Sequence, residues 1–591
     1  MLKKLLLFLI LSPLLLSIEL SSSYSYPKPL KGNIRYEHIA IIGTNDIHGR
    51  VVPALESYGE NPTKVKASGL TLLSSYLDAL SNEWGNKLLW LDAGDQFQGS
   101  LESNLFKGKP MVDFFNFKNK INKASAIGNH EFDFGFDALY SRMKESKFNR
   151  LAANLFKRNS EQRVKFPNTL PSKLFQLGKV VVGVIGLTTT QTPFTTAQNV
   201  STIDFRDYPE VVIQESENLR NNGADIIVLT THVGNTCTKG DFLDLVKLGI
   251  RTRSTEQKTN CTESDEIYQL LKVLPEGTVD GIVGGHLHLI THHFIKGIPV
   301  IQGENFARHF NVLYFKFDLW RGKLISEKTV IEGPVAVCEK VPVGETTCFQ
   351  KNLQNPLTKD TAFEDIEFHG YAIKEDKKAR NLLKTYIEEA EKYNNKVLAK
   401  LNNKLYNSAE KESELGNFIT NAIQNRTGSD FVIWNKGGIR INWETTGDFT
   451  FSQLFQTLPF DSYIFTVELT GAEVKKTIEI IQKGIKGFYH TFGLKQEVCG
   501  SPHKLLSLAL SDGSQIIDEK VYTVSLNDFL KNGGDDFKDV VKTVDLKNPI
   551  NYEESKIIVE AYMLKVKIID SPDHPLVDPQ MPRLTVKADC N

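Results

Sequence analysis

The chain has 591 residues, 41% hydrophobic and 24% charged, with 70 basic against 71 acidic side chains and a net charge of −1. That length predicts two to four domains, each able to bury a core. The charge balance removes any bulk electrostatic case for nucleic acid or an anionic membrane as partner, and the apolar fraction is that of a globular protein.

Residues 1–25 read as a secretory signal: Lys3-Lys4 precedes a largely apolar run over 5–16, and Ser21-Ser22-Ser23 follows. The apolar run is short for a spanning helix, so no stable membrane anchor is expected after cleavage. Over 39–317, strand-like runs alternate with amphipathic stretches at 68–80 and 209–221. That alternation predicts an α/β sandwich. Residues 332–375 read as irregular. A helical pattern follows over 377–397, where Leu382, Leu383, Tyr386, Ile387, Ala390 and Tyr393 recur near the 3.6 period. It predicts a connector helix at 376–398, between a first unit at 30–375 and a second at 399–591; a helix of either core is the alternative. Glu414 opens a further helix through Ile423. The C-terminal residues carry no apolar tail, which predicts no GPI anchor.

The six cysteines form no C-x-x-C pair. Cys237 with Cys261, Cys338 with Cys348 and Cys499 with Cys590 is one of fifteen connectivities, and export would permit it. Asn199, Asn260 and Asn425 begin N-glycosylation sequons.

Five polar clusters stand out because each follows a short apolar run. They are Asn45-Asp46-Ile47-His48, Gly94-Asp95, Gly128-Asn129-His130-Glu131, Thr231-His232 and Gly285-His286-Leu287-His288. Ligands of open α/β sheets bind beyond the carboxyl ends of the strands. Five such ends would gather Asp46, His48, Asp95, Asn129, His232, His286 and His288. Carboxylate and imidazole together suit zinc, manganese or iron better than magnesium alone. A shared carboxylate can hold two ions about 3.5–4 Å apart for an in-line displacement at phosphorus. His292, His293 and His309 lack a strand-then-turn approach and are expected to be structural or surface residues.

These motifs resemble those of the calcineurin-like metallophosphoesterases, and within them the 5′-nucleotidase family, which includes apyrases and UDP-sugar hydrolases. The resemblance spans about 39–586. It implies two divalent ions, zinc first and manganese or another divalent cation as alternatives. One would be held by Asp46, His48, Asp95 and His288, the other by Asp95, Asn129, His232 and His286. It also implies that His130 stabilises phosphoryl charge, with Asp133 orienting it.

Three stretches of the C-terminal half carry recognition chemistry: Asn435-Lys436-Gly437-Gly438-Ile439-Arg440, Leu458-Pro459-Phe460 and Asn527 to Asp535. An arginine fork suits phosphate, aromatic rings stack on a base, and a carboxylate holds ribose hydroxyls. The resemblance implies that Phe460 and Phe529 stack the base, Asp535 binds ribose and Arg440 reaches phosphate, with Asn435 and Gly438 lining the pocket. Where relatives often carry an arginine upstream of Gly416-Asn417, this chain has Lys411, a compact charge without the bidentate fork. The expectation is a secreted or lumenal two-domain α/β hydrolase: an N-terminal α/β sandwich metallophosphoesterase joined by a helix to a nucleoside-binding domain. Its expected substrate is a nucleotide, of the AMP-to-adenosine type. Apyrase or UDP-sugar hydrolysis, or a catalytically silent nucleotide binder, are the alternatives.

Overall fold

A computed structural model describes residues 26–590 apart from 33, 197–199, 238–248, 253–260, 354, 409–410, 461, 485–488, 501–502, 572–574 and 588–589. The expected signal, and the sequon asparagines 199 and 260, lie outside the described residues.

The N-terminal unit is two packed sheets with helices on both outer faces. In the first sheet β1 (Tyr36–Thr44), β2 (Leu88–Asp92) and β3 (Asn122–Ala126) run parallel as neighbours. In the second, β4 (Val180–Thr188), β5 (Ile226–His232), β6 (Gly281–Val283) and β7 (Ile298–Gly303) do the same. Strands buried on both faces become continuous apolar runs, which is why these segments stand out in the sequence. One core lies between the sheets, where Ile39, Ile41, Leu89 and Leu91 meet Val182, Val184, Ile226 and Val228. The helix Leu70–Trp84 covers the first sheet, and Tyr208–Asn221 with Glu266–Val273 covers the second.

Register decides where the polar clusters go. Thr44 pairs with Asp92 and Asp92 with Ser125, so the first three strands end level. In the second sheet, Thr188 pairs with His232. The carboxyl ends of both sheets therefore open onto one edge.

The C-terminal unit is built on a mixed sheet of its own. Its β8 (Phe431–Asn435) is parallel to β10 (Val521–Asn527), and β9 (Tyr463–Thr470) is antiparallel to β10. Helices Glu414–Thr427 and Ser555–Val566 pack on one face, and Gly471–Lys483 on the other.

The segment expected as one helix over 377–397 is two. Lys377–Leu382 and Lys384–Asn394 are separated at Leu383, and Val397 starts the strand Val397–Leu401. The weak helix formers Asn394 and Asn395 end the second helix, and β-branched Val397 favours a strand. Ala379, Leu383 and Ile387 are buried in the N-terminal core, while Ala390 packs with Leu101 and Phe455 at the boundary between the units. The stretch 332–375, expected as irregular, takes in most of the strand Val330–Ala336 and the short strand Lys340–Pro342, the latter paired with Phe363–Asp365. The disulfides are Cys237–Cys261, Cys338–Cys348 and Cys499–Cys590. No helix of the described residues is long and apolar enough to cross a membrane.

Candidate active site

The strand ends deliver Asp46, His48, Asp95, Asn129, His232, His286 and His288 to one place. Five of them sit on left-handed backbone: Asp46 and His48 at φ 47°, Asp95 at 56°, His286 at 76° and His288 at 55°. Such conformations cost about 1–3 kcal/mol each and persist only where surroundings over-determine them. Here two loops brace each other: the Asp46 N–H donates to Gly94 O at 3.0 Å and the His48 N–H to Asp95 O at 3.0 Å. Glu131 braces the third loop. Its buried carboxylate accepts from the backbone N–H groups of Gly128, Asp95 and Gln96 at 2.6–2.8 Å. Gly128 is required by close approach, since a Cβ there would lie 2.1 Å from Asp95 Oδ1.

The side chains are aimed by partners on their outer sides. His48 Nδ1 is 2.8 Å from Gln98 O and His232 Nδ1 is 2.8 Å from Ala93 O, leaving each Nε2 turned inward. The two inward nitrogens of His48 and His288 are 2.9 Å apart. His288 Nε2 lies 3.4 Å from Asp46 Oδ1, and His232 Nε2 lies 3.0 Å from both Asp95 Oδ2 and Asn129 Oδ1. Two groups, Asp46-His48-His288 and Asp46-Asp95-His232, have ligand atoms within 4.8 Å of one another. The His286 ring is 5.1 Å from that of His232, and the backbone N–H of His286 donates to Asp46 Oδ2 at 2.9 Å.

This donor set fits divalent cations. Asp46 is fully buried, yet its Oδ1 has no hydrogen-bond partner, an arrangement that is costly unless a cation satisfies that oxygen. Burial and the neighbouring His288 push His48 down to about 3, and burial and His232 do the same to His286. Both imidazoles are thus neutral, as metal ligands must be. Burial would lower His232 too, but the Asp95 charge overrides it and raises His232 to about 10. That carboxylate field attracts positive charge to the cluster.

Beside the cluster, His130 Nδ1 is 2.7 Å from Asp133 Oδ2, and Thr196 Oγ1 donates to Asp133 Oδ1 at 2.8 Å. Against burial, Asp133 and Asp95 raise His130 to about 9, so it is an imidazolium at neutral pH.

The C-terminal unit closes the other wall. Gln98 Nε2 and Asn104 Nδ2 both donate to Pro459 O, at 3.0 and 3.1 Å. Phe460 stacks on His130 at 5.6 Å, and the Arg440 guanidinium lies 5.5 Å from the Phe460 ring centroid. Asn435 Nδ2 donates to Asp535 Oδ2 at 3.2 Å, and Asn527 Nδ2 to Asn435 Oδ1 at 3.0 Å. A Cβ at Gly534 would meet the Phe529 ring at 2.5 Å, so glycine lets the ring lie on the turn.

The walls enclose a cavity of about 470 Å³ lined by Asp95, Asn129, His130, His286 and His288 together with Asn435, Gly438, Arg440, Phe460, Phe529 and Asp535. A second compartment of about 660 Å³ shares His288, Asn435, Arg440, Phe460 and Asp535 with it and is further lined by His48, Arg50, Arg308 and Lys436.

The N-terminal unit matches the calcineurin-like phosphoesterase family over residues 39–289, and the C-terminal unit matches the 5′-nucleotidase C-terminal domain over 393–543. The chain belongs to the 5′-nucleotidase family. Like that family it is a metallophosphoesterase, a hydrolase of phosphoric esters whose chemistry uses divalent metal ions. Human 5′-nucleotidase is 26% identical over 570 residues, spanning 90% of this chain and 89% of that protein. The cell wall protein Lmo0130 of Listeria monocytogenes is also 26% identical, over 84% of this chain, which spans only 64% of that longer protein. The fold is that of the 5′-nucleotidase precursor from Thermus thermophilus, with a TM-score of 0.66 at 22% identity, covering 93% of this chain and all of that one.

Several residues of this 5′-nucleotidase-type cleft carry no expectation from the sequence. Glu131 lies inside a recognised motif, but its backbone-bracing role needs the third loop to be in place. Gln191, Thr195, Ser462 and Asn527 also line the smaller cavity. Lys411, considered above as a substitute phosphate ligand, does not line either compartment; the lysine there is Lys436. His292, His293 and His309, expected as structural or surface residues, are buried: His309 Nδ1 contacts Glu304 at 3.0 Å, and His293 lies beside the Cys237–Cys261 disulfide.

Proposed function

We propose that the chain removes phosphate from nucleotides, with nucleoside monophosphates of the AMP type as substrate. The observation that carries this is the sharing of one cavity by a cation-seeking Asp/His cluster and an aromatic, carboxylate and amide lining of nucleoside character.

Asp46, His48, Asp95 and His288 would hold one ion, and Asp95, Asn129, His232 and His286 a second; zinc suits this imidazole-rich set, with manganese the alternative. When bound, such ions supply electrophilic stabilisation of the phosphoryl oxygens and a nucleophile at neutral pH. The His130 imidazolium, held by Asp133, stabilises negative charge developing on the phosphoryl group. Arg440 neutralises phosphate from the opposite wall. Phe460 and Phe529 take the base, Asp535 with Asn435 takes the ribose hydroxyls, and Gly438 leaves room for them. The working units are 30–375 for the chemistry and 399–591 for the nucleoside, with 376–398 between them. Three disulfides among the described residues support an oxidising, secreted or lumenal setting.

The test is phosphate release from AMP, ADP, ATP and UDP-glucose, with and without chelator. Release from AMP that chelator stops and zinc or manganese restores is expected. No release from any of the four by metal-loaded protein, or release indifferent to chelator, overturns the proposal.

A further inference from the structure

The larger compartment continues the same cleft: it shares His288, Asn435, Arg440, Phe460 and Asp535 with the smaller cavity and extends past them to Arg50 and Arg308, away from Phe529. Its N-terminal wall carries Arg50 and Arg308, and its C-terminal wall Lys436 and Arg440. Elsewhere the chain pairs many of its arginines: Arg35 with Asp318, Arg142 with Glu145, Arg220 with Asp280. Arg50 is different. Among the described residues it has no ion pair, its Nε is buried without a hydrogen-bond partner, and its guanidinium lies 5.3 Å from the Phe306 ring centroid. Burial disfavours the Arg50 cation and the like charge of Arg308 adds to this, while the charges of Glu102 and Glu56 favour it. Arg308 itself is paired with Glu304 at 3.3 Å. An arginine fork with a donor unused, in a cationic chamber that opens onto a phosphate site, is the arrangement that recognises a tetrahedral oxyanion.

We propose that this compartment is a second anion subsite, in which Arg50 with Arg308 binds a phosphate-type oxyanion at a position distinct from that of the phosphoryl group under attack. The occupant is either phosphate leaving the reaction or a further phosphate group carried by the substrate. The inference rests on the nucleotide-hydrolase reading above.

The test compares metal-loaded wild type with Arg50→Gln, and with Arg308→Gln as a second variant. Three quantities are read: inhibition of AMP hydrolysis by inorganic phosphate, KM for AMP, and KM for ADP, or its Ki if it is not turned over. Losing one charged hydrogen-bond partner is expected to weaken the anion about tenfold, with kcat/KM for AMP within about twofold of wild type. A raised Ki for inorganic phosphate identifies the released product as occupant. An unchanged phosphate Ki with a raised ADP constant identifies a substrate phosphate. If melting temperatures are unchanged and neither constant moves in either variant, the subsite is refuted. Should the wild type turn over no nucleotide, the hydrolase reading fails by itself. Calorimetric titration of inorganic phosphate into wild type and Arg50→Gln then still decides the subsite: binding that weakens in the variant supports it, and equal binding refutes it.

Discussion

On the N-terminal wall of the cleft, five of the seven expected metal ligands occupy left-handed backbone, and Asp46, His48, Asp95 and His232 are at most 3% exposed. On the C-terminal wall only Asp535 among the non-glycine nucleoside residues has that backbone; Phe460 and Phe529 are half-buried and Arg440 is exposed. The first wall fixes its side chains through turn geometry and interlocked loops, so its shape exists before any substrate arrives. The second presents rings and a long cation at a boundary where Gln98 and Asn104 both donate to the Pro459 carbonyl. Cation and phosphoryl geometry tolerates little displacement, whereas stacking on a base tolerates much more. The division of rigidity follows the demands of the two tasks.

The largest effect should come from breaking the rigid wall. Asp95→Asn removes the carboxylate common to both expected ion sites and should lower kcat on AMP by on the order of 10³-fold or more. Circular dichroism and melting should show the fold retained, because the amide keeps an acceptor for the His130 N–H that Asp95 Oδ1 now accepts at 2.9 Å. Near-normal turnover in this variant would remove the metal-centred reading.

An intermediate effect should come from the adaptable wall. Phe529→Ala gives up stacking worth about 1–3 kcal/mol, so KM for AMP should rise roughly tenfold or more, while hydrolysis of a simple aryl phosphate is spared. Parallel losses on both substrates would mean that the ring serves the core, which it partly borders.

The smallest effect sharpens the contact between the walls. Burial pushes the Asp528 carboxyl up to about 7, and the charge of Asp133 on the opposite unit adds to the push. A carboxyl raised in the folded state favours folding fully below its unfolded value near 4, and that contribution is lost as pH rises through 7. Asp528→Asn should therefore gain stability over wild type on going from pH 5 to pH 8, by about 1–2 kcal/mol. Thermal melts of both proteins across that range check it; curves that stay parallel would show that Asp528 is not desolvated at the boundary.

The sequence by itself determined the strands of the N-terminal sheets and the identity of the chemical groups at their ends. Strands buried on both faces must be written as unbroken apolar runs, and the polar turn after each is then conspicuous. It also marked the Asn435, Phe460 and Asp535 stretches, because rings, amides and carboxylates beside glycine turns are legible locally. The tertiary structure alone decided how these turns lock together. Glu131 stands in a recognisable motif, but nothing local tells its role: it gathers the backbone N–H groups of Asp95, Gln96, Phe97 and Gly128 from two loops that only sheet register makes neighbours. The break at Leu383 likewise depends on which core receives that side chain. Whether a lysine reaches the cleft, Lys436 rather than Lys411, and whether Arg50 finds a partner, are matters of distance across the boundary between the units, which no one-dimensional pattern encodes.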